Sequence, residues 1–193
     1  MPDSKHIRPS ELDFGNLRVM AERDLEQVLA WRNHASIRLH MYTQHEITFD
    51  EHLSWWNRVS ESPNYALFIF ERMQRPMGYV AFSEITQKNT TATWGFYTAP
   101  DAPKGTGSLM TFAAMEMAFG PLRLPKLDAE ILDENTASLQ LHKSFGFLSQ
   151  GLIRNSRLVG DELVSVHRFT LDSDRWKQLR SLKMQLLKKR IFS

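Results

Sequence analysis

The stretch Asn135-Thr136-Ala137-Ser138-Leu139-Gln140-Leu141-His142-Lys143-Ser144-Phe145-Gly146-Phe147 decides how the rest of the chain is read. Asn is a helix-capping residue type, because its side-chain carbonyl accepts from amides left unpaired in a first helical turn. Helix-compatible residues run from Thr136 to Ser144, and Gly146 supplies the left-handed conformation on which helices commonly end. Directly upstream, Lys126 to Leu132 alternates polar and apolar residues as a strand does, with Glu130 near its end. Strand, tight connection and short helix are therefore predicted in that order.

Working upstream, Ala99-Pro100-Asp101-Ala102-Pro103-Lys104-Gly105-Thr106-Gly107-Ser108-Leu109 lies between a strand over Thr91 to Tyr97 and a Met- and Ala-rich helix over Leu109 to Phe119. Glycines in such a loop let free N–H groups at a helix start face an anion, and the helix dipole adds to the attraction, which suits a pyrophosphate. The Gly-Lys-Ser/Thr ending of a Walker loop is missing, as is the six-residue dinucleotide fingerprint, so a plain turn explains the glycines as well. Tyr65 to Phe70 and Met77 to Phe82 read as an antiparallel hairpin. Nearer the N-terminus, Leu17 to Met20 is a short strand, and Glu22 to Trp31 carries Leu25, Val28 and Leu29 at helical spacing. Thr48 precedes Glu51 by the capping-box interval and opens a helix to about Ser60. Phe147 to Ile153 and Leu163 to Phe169 read as a closing pair of strands.

One domain is expected over 15–171, after an extended or disordered 1–14 and before a basic amphipathic helix over 172–193. Asp174 to Ser193 carries seven Lys or Arg against one Asp, a local charge of +6, so the formal +2 of the chain hides a −4 body. Trp176, Leu179, Leu182 and Leu186 give that helix an apolar stripe, which either docks on the domain or meets a membrane surface or phosphates. The 193 residues, 42% hydrophobic, suit a single compact core. The absence of cysteine excludes disulfides, Cys-ligated zinc, iron–sulfur clusters and any acyl-cysteine intermediate. A charge of +2 makes no case for nucleic acid, and no metal is expected. Met1 to Ser10 lacks an apolar run and no stretch is long enough to span a bilayer, so a cytoplasmic protein without a membrane span is expected.

The Asn135 to Phe147 element resembles that of the GNAT superfamily of N-acetyltransferases, carried by Asn135, Leu141, Lys143, Gly146 and Phe147, with Ser138 where Ala is usual. Together with the glycine loop and the strand and helix order between them, the resemblance covers roughly Leu17 to Phe169. It implies an α/β fold with a mixed, mostly antiparallel sheet of about seven strands, splayed between the fourth and fifth, and about four to five flanking helices. Acetyl-CoA would lie in the gap between Thr91 to Thr98 and Lys126 to Leu132. Cofactor contacts are then expected from Phe96, Tyr97, Thr98, Lys104, Gly105, Thr106, Gly107, Ser108, Leu109, Asn135 and Lys143, with the amides of Gly105 to Leu109 on the pyrophosphate. The loop fits the family pattern in two registers, one on Gly105 and Gly107 and one on Lys104 and Gly107.

Arg32-Asn33-His34, Met41-Tyr42, His52 with Trp55, Gly78-Tyr79-Val80 and Trp94-Gly95-Phe96-Tyr97 resemble the nucleotide-sugar acetyltransferases of pseudaminic acid biosynthesis, the PseH type. The resemblance implies transfer to the 4-amino group of a UDP-linked 4-amino-4,6-dideoxy-N-acetyl-altrosamine, in the pathway of flagellin glycosylation, and it leaves room for a homodimer. Arg32, His34, Met41, Tyr42, His52, Trp55 and Lys88 would bind that acceptor, supplying cations for two phosphates and faces for a base. The alternatives are a protein N-terminal or polyamine acetyltransferase, or a catalytically silent acyl-CoA-binding module.

Attack on a thioester needs a neutral amine, so a base must take a proton. Glu130 matches the family's carboxylate, its pKa expected to rise with partial burial, although a lone Glu on an alternating strand also reads as solvent-facing. His142 stands where the family has Tyr and is the expected general acid. An unperturbed His is only about one-quarter imidazolium at pH 7, so rate should fall more steeply above neutrality than in a Tyr enzyme. The carbonyl oxygen would meet a backbone amide at a bulge near Phe96 to Thr98.

Overall fold

The structure is a computed structural model and describes residues 14–85 and 91–191. Lys88 and all of the expected N-terminal segment but Phe14 fall outside them. In chain order the elements are β1 (Asn16–Val19), α1 (Leu25–Asn33), α2 (Ala35–Arg38), α3 (Phe49–Val59), β2 (Ala66–Arg72), β3 (Arg75–Ser83), β4 (Ala92–Thr98), α4 (Thr106–Phe119), β5 (Lys126–Leu132), α5 (Thr136–Phe145), β6 (Leu148–Val159), β7 (Glu162–Asp172) and α6 (Ser173–Ile191).

Several of these elements begin or end where local chemistry dictates. The Thr48 hydroxyl accepts from the Glu51 amide while the Glu51 carboxylate accepts from the Thr48 amide, a reciprocal cap that starts α3. Asn135 Oδ1 accepts from the Ser138 amide at 3.1 Å and starts α5, which ends on Gly146 at φ +89°. α4 starts at Thr106, three residues before Leu109, because Gly105 at φ +92° turns the chain tightly enough to shorten the loop. β6 and β7 are longer than their apolar runs and extend as a polar hairpin.

The strands form one sheet in the order β1-β2-β3-β4-β5-β7-β6. Every neighbouring pair is antiparallel except β4 with β5. Those two are parallel and stay paired at only two positions, Ala92 with Leu127 and Thr93 with Asp128, before they diverge. Both faces of the sheet are covered, which is why Leu67-Phe68-Ile69-Phe70 reads as an unbroken apolar run. Phe70, Phe82, Leu127 and Phe169 pack with Met110 and Met115 of α4 on one face. Ile69 and Tyr79 pack with Val28 and Trp31 of α1 and Val59 of α3 on the other. At Gly78 a Cβ would lie 2.6 Å from Met110 Sδ and 2.9 Å from the Tyr97 carbonyl, so α4 approaches the sheet where β3 has no side chain.

The basic tail packs as α6 against α4. Trp176 is buried, and its Nε1 donates to Glu116 Oε1 at 3.0 Å; the Arg180 guanidinium lies 2.6 Å from Glu116 Oε2. Its inward stripe is Trp176, Met184 and Leu187, whereas Leu182 and Leu186 of the expected stripe are exposed. Among the described residues no helix is long and apolar enough to cross a membrane.

Candidate active site

The divergence of β4 and β5 opens a cleft of about 530 Å³, floored by Trp94 to Ala99 and Ala129 to Leu132 and closed by the glycine loop and α5. Beyond Thr93 the edge of β4 facing β5 has no partner strand, so alternate amides between Trp94 and Thr98 open onto the cleft. The β3–β4 ladder runs without a register shift from Gly78 with Thr98 to Ser83 with Thr93. The expected bulge is therefore unnecessary: splay alone frees donors at Phe96 and Thr98, while the Tyr97 amide, like that of Ala99, which donates to Met77 O, points to β3.

The loop presents fewer amides than expected. The Thr106 amide donates to Pro103 O at 3.1 Å, and those of Ser108 and Leu109 donate to Gly105 O at 3.0 and 3.3 Å. Among the described residues, the amides of Gly105 and Gly107 have no such partner, and both glycines line the cleft with Lys104. Thr106 is buried with its hydroxyl on Pro103 O, and Leu109 belongs to the core. Ser108 and Lys143 do not line the cleft, and Lys143 is exposed on α5. Asn135 lines it while capping α5. An apolar-walled cleft ending in two unpartnered amides beside a lysine fits the pantetheine and pyrophosphate of acetyl-CoA.

His142 also lines the cleft but is only 3% exposed, packed among Trp94, Phe96, Phe147 and Phe169. Its Nδ1 lies 2.8 Å from the Ser138 carbonyl. A carbonyl has no proton to give, so Nδ1 carries it, and Nε2 of the neutral ring is a bare acceptor. Burial, opposed by that hydrogen bond, pushes the pKa down to about 4. The ring is thus neutral at pH 7, with about one molecule in a thousand protonated, which corrects the expected imidazolium fraction. A ring in this state has no proton at Nε2 to offer a leaving thiolate.

The pKa of Glu130 is corrected downward as well. Arg168 Nε and Nη2 donate to its Oε1 at 2.9 and 2.8 Å; Arg157 Nη2 and the Tyr42 hydroxyl donate to Oε2 at 2.7 and 2.9 Å. Partial burial pushes the carboxyl up, but the bonds from Arg157, Arg168 and Tyr42 outweigh it and hold the pKa below the ordinary value. The charged form is what those donors stabilise, so Glu130 is a weak base. Tyr42 and Glu130 line both the cleft and a neighbouring cavity of about 780 Å³ that also takes in Lys126, Asp128, Arg157 and Arg168.

A third cavity, about 550 Å³, brings together Arg32, Met41, His52 and Trp55 with Tyr79 and Tyr97. Arg32 Nη2 donates to Thr43 O at 2.8 Å, while Nη1 is buried without a partner. His52 stacks on Trp55 with ring centroids 5.0 Å apart, and its Nε2 is likewise buried and unpartnered. Burial lowers the His52 pKa against a backbone interaction at Leu25, so Arg32 is the cation of this cavity's inner wall and His52 is not. His34 is elsewhere, its Nδ1 accepting from the Ser36 amide at the start of α2. The sequence reading missed Arg157 and Arg168, which reach Glu130 from 27 and 38 residues away, and Trp94, whose Nε1 is buried without a partner. Only the register of Glu130 with Arg168 across β5 and β7 would have revealed one of them.

Residues 16–148 match the family described as an acetyltransferase (GNAT) domain. The chain is 26% identical over 132 residues to the acetyltransferase PseH of Campylobacter jejuni, covering 68% of this chain and 82% of that protein. It is 28% identical over 104 residues to an uncharacterized N-acetyltransferase, p20, of Bacillus licheniformis, covering 53% and 58% respectively. Among solved structures, the spermidine N-acetyltransferase of Vibrio cholerae in complex with CoA and spermine superposes with a TM-score of 0.79 at 21% identity, over 84% of this chain and 98% of that one. A sheet splayed between its fourth and fifth strands, a loop of unpartnered amides facing that splay and a family match over residues 16–148 agree: the chain belongs to the GNAT acetyltransferases, enzymes that transfer the acetyl group of acetyl-CoA.

Proposed function

We propose that the acceptor is the amino group of a UDP-linked amino sugar, as in the PseH-type enzymes. The observation that carries this reading is the third cavity: a buried guanidinium nitrogen and a buried imidazole nitrogen, both unpartnered, beside Trp55, Tyr79 and Tyr97. Buried polar atoms are rarely left without partners, and a ligand offering both an anion and a donor-bearing aromatic ring would satisfy this pair. A phosphate suits Arg32, a base suits the Trp55 and tyrosine faces, and His52 Nε2 accepts from a base N–H. Spermidine, the substrate named for the Vibrio cholerae relative, would want carboxylates here; the wall offers Glu51, which is already held by Thr48 and His45.

In this reading the amine attacks the thioester directly within a ternary complex, since the chain has no cysteine to carry the acetyl group. Acetyl-CoA supplies the activated carbonyl; the free β4 amides meet the charge that develops on its oxygen. Glu130, ionised and clamped, fixes Tyr42 and the charge of the wall between the cavities, and the neutral His142 ring shapes the sulfur end. Proton removal from the amine and proton return to sulfur pass to solvent in the open cleft.

Thiol release from acetyl-CoA, followed in parallel with UDP-4-amino-4,6-dideoxy-N-acetyl-altrosamine, a peptide N-terminus and spermidine, tests the assignment. Turnover is expected on the UDP sugar, with UDP competing against it and not against acetyl-CoA. Turnover on the peptide or spermidine alone overturns the sugar assignment.

A further inference from the structure

Three cavities meet at one residue that has no side chain. Gly95 lines the cofactor cleft, the Glu130 cavity and the Arg32 cavity. On the face of β3 and β4 that carries it, the ladder pairs Tyr79 with Tyr97, Ala81 with Gly95, and Ser83 with Thr93. The tyrosine rings stack at 5.0 Å, and Thr93 donates to Glu84 Oε2, so both flanking pairs rise from the sheet as occupied ground. Between them Ala81 and Gly95 leave a low crossing from the Arg32 cavity to the Glu130 cavity. A Cβ built on Gly95 would meet nothing within 4 Å, so the glycine is not demanded by any protein contact.

A buried polar atom awaits a ligand at the near end of this crossing. His52 is 6% exposed and its Nε2 has no partner on the Arg32 side. The far cavity carries Lys126, Arg157 and Arg168 against Glu84, Asp128 and Glu130, with both arginines bonded to Glu130. Mixed charges, with both arginines already held by Glu130, favour a neutral group bearing hydroxyls or amides over a phosphate or a polycation.

We propose that the acceptor is an elongated molecule lying across Ala81 and Gly95, its anionic aromatic end among Arg32, His52 and Trp55 and its neutral polar end in the Glu130 cavity, and that the bare Gly95 sets how closely its amine approaches the thioester. This rests on the acetyl-transfer reading and extends it to a second acceptor subsite. The amine nitrogen bonds to the carbonyl carbon as the C–S bond breaks; of the two protons the ammonium loses, one ends on sulfur and one in solvent.

Gly95→Val and Ala81→Val raise the crossing from two different strands. Melting temperature establishes folding, calorimetry gives acetyl-CoA affinity, and thiol release is measured without acceptor and with whichever of the three acceptors the wild type acetylates. Both variants should fold and hold acetyl-CoA, while kcat/KM for the acceptor falls about 10²-fold. Gly95→Ala should fall between. Unchanged acceptor kinetics in both Val variants overturns the crossing, and so does loss of acetyl-CoA affinity, which would make Gly95 part of the cofactor site alone. Wild-type turnover on spermidine or the peptide refutes the nucleotide assignment while the crossing is still read on that acceptor; silence on all three overturns both.

Discussion

His142 should make the protein acid-sensitive in a window where its carboxylates do not. Unfolded, the imidazole titrates near 6.5; folded, burial among four aromatic side chains holds it to about 4. Below pH 6.5 the unfolded chain takes up a proton that the folded chain refuses. Stability is therefore full above 6.5, falls as pH drops toward 4, and levels off once the folded ring also protonates. The whole interval is worth about 3 kcal/mol, and the part between pH 7.5 and 5.0 about 2 kcal/mol.

Other groups titrate over the same range, so the quantity to measure is a double difference. Denaturant unfolding of the wild type and of His142→Phe at pH 7.5 and 5.0 gives it, since Phe keeps an aromatic ring in the site and removes the titration. Losing the Nδ1–H bond leaves Ser138 O with its ordinary helical partner, so the variant should be within about 1–2 kcal/mol of the wild type at pH 7.5. It should then lose about 2 kcal/mol less on acidification. Equal losses in the two proteins would refute the buried neutral ring, as would an NMR titration of His142 near 6.5. With a folded pKa of about 4, His142 also drops out of the pH–rate profile near neutrality, and the steeper fall of rate expected for an imidazolium acid disappears.

Two further outcomes follow from the geometry. Gly78→Ala forces a methyl group to within 2.6 Å of Met110 Sδ and 2.9 Å of the Tyr97 carbonyl, and should destabilise by about 1–3 kcal/mol in denaturant unfolding; an unchanged midpoint would mean that α4 yields freely. Glu130→Gln should leave the acid limb of kcat/KM where it is and raise KM for the acceptor, because an already ionised carboxylate does not set that limb; instead the limb should move with the pKa of the acceptor amine, and its disappearance in the variant would restore Glu130 as the base.

What the sequence revealed was whatever is settled within a turn or a strand. Thr48 and Glu51 cap each other three residues apart, Asn135 and Gly146 bound α5, and the doubly buried β2 announces itself as an unbroken apolar run. Order along the chain then sufficed for the family. What it concealed was set by partners distant in sequence. Glu130 was expected to have a raised pKa because burial was foreseeable, whereas Arg157 and Arg168 arrive from the β6–β7 hairpin through register. His142 was expected near its ordinary pKa because nothing local says that α5 turns it onto Trp94, Phe147 and Phe169 from three separate parts of the chain. The tail was misread in detail for a related reason: its inward face was taken from leucine spacing, but Glu116 on α4 fixes Trp176 and Arg180 and so sets the rotation of α6.

The two corrected residues share a consequence for catalysis. At neutral pH the cleft holds an ionised carboxylate that resists protonation and a neutral imidazole that resists it as well, so neither exchanges a proton within the working range. Such a wall contributes fixed charge and shape. On the proposed reading, rate enhancement comes chiefly from placing the amine against the carbonyl and from β4 amides whose direction is set by the backbone, contributions that do not titrate. Placement of that kind depends on side-chain volume at the crossing point of the cavities, which is where the chain carries Gly95 opposite Ala81.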